Sequence, residues 1–252
     1  MLFQSSLLFL AALLGGIAVL ILPSPSQAIF QRINVLSGGY LFSITVLHLL
    51  PELFAMPTPS QRIGFYLLLG FFLQLFLELM SKGVEHGHID GHTDQTPQVV
   101  PLSLFLALFI HAFLDGFILS TPHAMPMHQH THMHTHGPGG LLIGILLHKV
   151  PVAFAFTSVL SKAIRSQRTV LLYLLLFTIG SPLGLWASHY YSQHLGSSAE
   201  YLIAIWAIAA GSFLHIATTI FFEASPDHHL NLQKFLASLL GASLAVVFEF
   251  LL

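Results

Sequence analysis

Long apolar runs, broken by Pro, Gly and short polar clusters, follow one another along the whole chain. They predict helices at 3–22, 34–54, 63–82, 100–121, 140–162, 169–191, 200–223 and 233–252. Each run is close to the roughly 20 residues that carry a helix across a bilayer. The first run ends in Ser26-Gln27-Ala28, which has the small residues of a signal-peptide cleavage site, but no Lys or Arg precedes it, so it is read as the first span.

Composition turns this pattern into a class. Of 252 residues, 55% are hydrophobic and 7% charged, with a mean hydropathy of +0.80. Soluble domains carry about 25% charged residues, so a water-soluble globule is excluded. The expectation is an all-α integral membrane protein, one polytopic domain over residues 1–252, with its function placed between helices. Its surroundings are a lipid bilayer, taken to be a plasma or bacterial inner membrane. The absence of cysteine removes disulfide frameworks and thiolate metal sites. A net charge of -2 supplies no basic footprint for nucleic acid.

Lys and Arg set the direction of the spans. Arg32, Lys82, Lys162, Arg165, Arg168 and Lys234 fall in alternate connections, on one common side. Only Arg62 falls in the opposite set, and Lys149 lies inside the fifth span. Cytoplasmic loops collect positive charge, so both termini are expected to be extracytoplasmic. Two histidine-rich loops then lie on opposite sides. Residues 83–99, with Glu85, His86, His88, Asp90, His92 and Asp94, would be cytoplasmic. Residues 122–139, with His123, His128, His130, His132, His134 and His136, would face outside, as a low-complexity tract suited to weak, transient metal capture.

A faint internal repeat accompanies this topology. Gly38-Gly39-Tyr40-Leu41-Phe42-Ser43-Ile44 in the second span aligns with Ala210-Gly211-Ser212-Phe213-Leu214-His215-Ile216 in the seventh. Gly70 and Glu78 in the third span match Gly241 and Glu249 in the eighth. The paired spans run in opposite directions, as inverted repeats do, and in transporters such repeats place the substrate site near the midplane. Spans one to three would mirror six to eight, leaving four and five unpaired.

The 17 histidines are the main reservoir of polar side chains, and ionisable groups inside a span mark function by default. His111 and Asp115 in the fourth span are four apart and share one face. An imidazole with a carboxylate suits zinc and other first-row divalent ions; the alternative is a histidine held by a carboxylate for packing. His148 in the fifth span falls at a similar depth, so His111, Asp115 and His148 can converge. Pro151, three residues after it, removes a helical amide and frees a carbonyl. Lys149, costly at membrane depth, needs an anion or a cavity. Asp115 is the nearest anion, making Lys149 either a structural ion-pair member or a fixed charge where a second cation would otherwise bind. His48 and Glu52 in the second span, with His215 and Glu223 in the seventh, are candidate route residues. Glu78, Glu249, His189 and His194 sit near span ends and are expected to meet water.

Together these residues resemble the ZIP (ZRT/IRT-like) family of divalent metal transporters. The resemblance rests on Leu47-His48-Leu49-Leu50-Pro51-Glu52, the His111-x-x-x-Asp115-Gly116 of the fourth span and the His148-x-x-Pro151 of the fifth. The Gly211-Ser212-Phe213-Leu214 stretch and the 83–99 loop add to it. It implies a 3+2+3 arrangement, extracytoplasmic termini and a metal site between the fourth and fifth spans. It also implies uptake of zinc, iron, manganese, cobalt or cadmium by an elevator-like motion, often in a homodimer. The family's usual Asn after the fourth-span histidine is Ala112 here, and its acidic, histidine and second acidic positions in the fifth span are Lys149, Val152 and Ala153. One metal site rather than two is therefore expected, with the Lys149 ammonium in the place of the second ion.

The competing readings are a transporter-like protein that senses or buffers metal without moving it, and an intramembrane metalloenzyme. The enzyme would need clustered helical ligands of the HExxH kind and a general base, which the spans lack. No enzymatic activity and no resident cofactor are expected.

Overall fold

The computed structural model describes residues 1–22, 26–81, 102–120, 139–194, 199–223 and 232–251. Among the described residues, eight helical spans form where the apolar runs lie. Span 1 is Leu2–Ile21, and span 2 is Gln27–Ile44 continued by a π-helical turn, Thr45–Leu49, and by Leu50–Ala55. Spans 3 to 8 are Ser60–Ser81, Leu102–Phe117, Gly139–Ala163, Gln167–His194, Ala199–Glu223 and Leu232–Leu251. Among the described residues there is no strand. Seven of the helices are long and apolar enough to cross a membrane, and span 4 is a shorter apolar helix. The chain is an integral membrane protein, and its outward residues agree: Phe65, Leu68, Phe72 and Phe76 on span 3 and Leu236, Leu239 and Leu240 on span 8 are exposed.

Span 2 begins seven residues earlier than the apolar run predicts. Ser26 caps it by accepting from the Ile29 amide at 3.4 Å, satisfying one orphan donor of the first turn. Backbone bonding therefore extends the helix past the edge of its apolar stretch. Span 1, read against the alternative of a signal segment, is a packed helix: a Cβ on Gly15 would run into the backbone of Val150 in span 5.

The spans sort into two groups. In one, span 2 packs along span 8, span 3 along span 7, and spans 2 and 7 meet. In the other, span 1 packs along span 5, span 4 along span 6, and spans 1 and 6 meet. This pairing is unchanged when spans 1 to 3 are exchanged with 6 to 8 and span 4 with span 5. Glycines carry the same exchange at atomic detail. A Cβ on Gly39 would strike the Ser238 carbonyl, and one on its repeat partner Gly211 the Leu67 carbonyl, the residue aligned with Ser238. Gly70 approaches the Ile208 carbonyl, and its partner Gly241 the aligned Leu36 carbonyl. Small residues allow such close backbone approach between membrane helices, where van der Waals packing holds helices together. The faint sequence repeat is thus a packing symmetry.

The exchange also corrects one expectation, that spans 4 and 5 stand unpaired. Gly184 of span 6 meets the Phe113 carbonyl on span 4, and Gly15 of span 1 meets the Val150 carbonyl on span 5. Phe113 and Val150 each follow a histidine by two positions, so spans 4 and 5 are each other's counterparts, and His111 and His148 occupy equivalent places.

Candidate metal site

Span 4 is seated on span 6 by a glycine-rich segment, Gly180-Ser181-Pro182-Leu183-Gly184. Gly180 packs against Ala112, Gly116 against the Ser181 backbone and Gly184 against Phe113. The Ser181 hydroxyl donates to the Ala112 carbonyl at 2.6 Å. These contacts bracket His111 and Asp115 and fix the rotation of span 4. Spacing of the ionisable residues does not point to them, although Gly and Pro inside an apolar run are a visible signal. Span 5 runs as one helix through Pro151, presenting His148 and Lys149 from the neighbouring side.

The four side chains meet in the interior, each no more than 2% exposed. The His111 and His148 rings lie 5.6 Å apart, edge to face. Asp115 is the bridge: its Oδ2 accepts from Lys149 Nζ at 3.1 Å, and its Oδ1 lies 3.7 Å from His111 Nδ1. The ammonium also stands 5.7 Å from the centroid of the Phe177 ring, within cation–π range. The structure brings His111 beside both Asp115 and His148, and Lys149 finds its anion in Asp115. The counterparts of Asp115 and Lys149 under the exchange are Val152 and Ala112. A symmetric pair of imidazoles is therefore flanked asymmetrically by one carboxylate and one ammonium. Among the described residues no three His, Cys, Asp or Glu side chains form a ready set of metal ligands.

The candidate route residues lie in the other group of spans. His48, carried by the π-helical turn, faces two carboxylates: Nδ1 is 3.1 Å from Glu249 and Nε2 is 3.7 Å from Glu52. Pro51 follows this turn and has no amide to donate, and the Leu50 amide reaches back to Thr45. His215 Nε2 is 3.2 Å from Glu78, its Nδ1 is 3.0 Å from the Thr219 hydroxyl, and its ring stacks on Phe71. One turn away, Ser212 donates to Gln74 at 2.8 Å. Glu78 and Glu249, expected to meet water, are instead 12% and 15% exposed and face these histidines. They are repeat partners, so each repeat contributes one carboxylate to a histidine on the span it packs along. His189 and His194 lie toward the end of span 6 as expected, with His194 exposed.

Two sets of expectations lie outside the described residues. One is the pair of loops, 83–99 and 122–139, with His123, His128, His130, His132, His134 and His136, and the other is the side chain of Glu223. At the ends of the spans, Arg62 of span 3 pairs with Glu200 of span 7. Arg32 of span 2 donates to Gln233 at the start of span 8 at 2.5 Å. Both contacts join span ends that the alternating topology places on a common side.

A family model described as ZIP zinc transporter matches residues 83–249, more than half of the chain. No curated protein matches it.

Proposed function

The chain belongs to the ZIP zinc transporter family, a family that moves divalent metal ions, and on that premise we propose that it carries zinc into the cytoplasm through a single site between spans 4 and 5. Iron, manganese, cobalt and cadmium are the other cargoes of this reading. His111 and His148 are the ligands, Asp115 supplies negative charge, and Lys149 stands where a second ion would sit. The observation that carries the proposal is the ammonium of Lys149 at 3.1 Å from Asp115, beside two imidazoles whose rings are 5.6 Å apart. A fixed positive charge bound to the carboxylate leaves the two imidazoles as the place for one dication.

The elevator-like motion is part of the same reading. All four side chains belong to the group of spans 1, 4, 5 and 6, so that group can move against spans 2, 3, 7 and 8 with the site intact. Extracytoplasmic termini and a homodimer complete the proposal. The test is zinc uptake into proteoliposomes containing the purified protein. A His111→Ala, His148→Ala double variant that transports as well as the parent overturns the site. The second reading, a protein that binds metal without moving it, is favoured by the hold of Lys149 on Asp115. Net accumulation of metal in cells separates the two.

A further inference from the structure

The two groups of spans touch unequally. Span 2 packs well on span 5, whereas its counterpart under the exchange, span 7 on span 4, barely touches. Span 3 on span 4 likewise outweighs its counterpart, span 8 on span 5. The group that bears His111 and His148 therefore leans on the first repeat.

Across the span 2 to span 5 contact lies Tyr40. It is fully buried, and its hydroxyl donates to the Gly140 carbonyl at 2.9 Å. Its ring fills the space left by Gly144, where an added Cβ would sit 3.0 Å from two ring carbons. Ile44, one turn along span 2, packs on the same glycine face, 3.1 Å from a Cβ on Gly140 and 3.5 Å from one on Gly144. Phe248 of span 8 backs the Tyr40 ring at 6.3 Å. Gly140, Gly144 and His148 are spaced by four and lie along one face of span 5, so the tyrosine ring stands one turn from the histidine. The repeat partners of Tyr40, Gly140 and Gly144 are Ser212, Ser103 and Ala107. The phenol, and the glycine face that receives it, therefore belong to one repeat only.

The geometry points to Tyr40 as a latch that ties the site-bearing spans to span 2, closing the approach to His148 from that side. This rests on the reading of His148 as part of the transport site and of the two groups as moving parts. Releasing the hydroxyl from Gly140 frees the glycine face of span 5 to slide past span 2. The phenol is a positioning group and touches no metal.

The chain has no cysteine, so Ile44→Cys introduces a single thiol, at a fully buried site beside Tyr40 on the same glycine face. In proteoliposomes a charged maleimide should label it slowly. Adding Tyr40→Phe, which keeps the ring and removes one hydrogen bond, should speed labelling about two- to tenfold, the population shift expected for one such bond. Gly144→Ala, whose methyl presses on the ring, should also speed it, and serves as the deciding variant if Tyr40→Phe fails to yield folded protein. Unchanged or slower labelling in the folded variant overturns the latch. Labelling needs no metal, so it is independent of the site: uptake that survives loss of both histidines removes the site and leaves the latch to be judged by labelling.

Discussion

The Nζ of Lys149 stands 3.1 Å from the Oδ2 of Asp115, and both side chains are shut away from solvent. Taking two charges out of water costs several kcal/mol for each, and their attraction offsets this only while both are present. Lys149→Met strands a buried carboxylate and should cost about 3–5 kcal/mol, read as a lowered melting temperature in detergent. Lys149→Met combined with Asp115→Asn should regain most of the loss. Equal melting temperatures for the parent and Lys149→Met would show that the pair carries no energetic weight.

The same ammonium bears on how many ions bind. On the proposed reading Lys149 excludes a second cation, so with Lys149→Glu, which puts a second carboxylate there, the metal content of the purified protein should rise. Unchanged content in a folded variant would assign Lys149 to structure alone.

Imidazole binds metal only through a neutral nitrogen, so if His111 and His148 are the ligands proposed, protons compete with the ion there. Initial uptake rates should fall as the pH is lowered through the range in which histidines charge, about pH 8 to 5, and raising the metal concentration should restore them. A profile that is flat at low metal concentration counts against imidazole ligands.

The glycine contacts make a stability prediction with its own control. A methyl on Gly70 would run into the Ile208 carbonyl, whereas nothing lies within 4 Å of one on Gly64. Gly70→Ala should destabilise by about 1–3 kcal/mol, the usual cost of overpacking, and Gly64→Ala should be close to neutral. Gly241→Ala, facing the Leu36 carbonyl, should behave like its repeat partner. Thermal unfolding of the three variants decides it.

All eight spans are legible in the sequence because crossing hydrocarbon demands a long apolar run, and that demand leaves little else to read. Their ends are less legible. Span 2 starts at Gln27 because Ser26 caps it, and a helix satisfies its own backbone whether or not the side chains there are apolar. The repeat is visible at Gly39, Gly211, Gly70 and Gly241 because one close backbone approach, made twice, requires glycine twice. The equivalence of spans 4 and 5 is hidden, since their only shared polar residue is one histidine and the contacts revealing it belong to Gly15 and Gly184 on other spans.

The candidate site is legible for a similar reason. Ionisable residues in a span are few, and His111, Asp115, His148 and Lys149 could only face inward. The partners of Glu78 and Glu249 are not legible because position along a helix gives depth but not rotation. Near a span end, a carboxylate can turn to water or to a neighbour, and the neighbour that decides lies far away in the chain. For Glu249 it is His48, whose direction depends on a π-helical turn that spacing arguments based on a regular helix do not anticipate.

The equivalence of His111 and His148 has a thermodynamic consequence. On the proposed reading, a dication shared by two ligands that the exchange of repeats interconverts meets the same pair of nitrogens whichever repeat the site-bearing spans lean on. Its binding free energy to the imidazoles is then equal at loading and at release, and they alone favour neither direction. Any built-in difference in affinity between the two faces must come from what breaks the equivalence, with Asp115 and Lys149 the charged members. Neutralising both at once should therefore bring the two face-specific dissociation constants together even where it slows exchange between them.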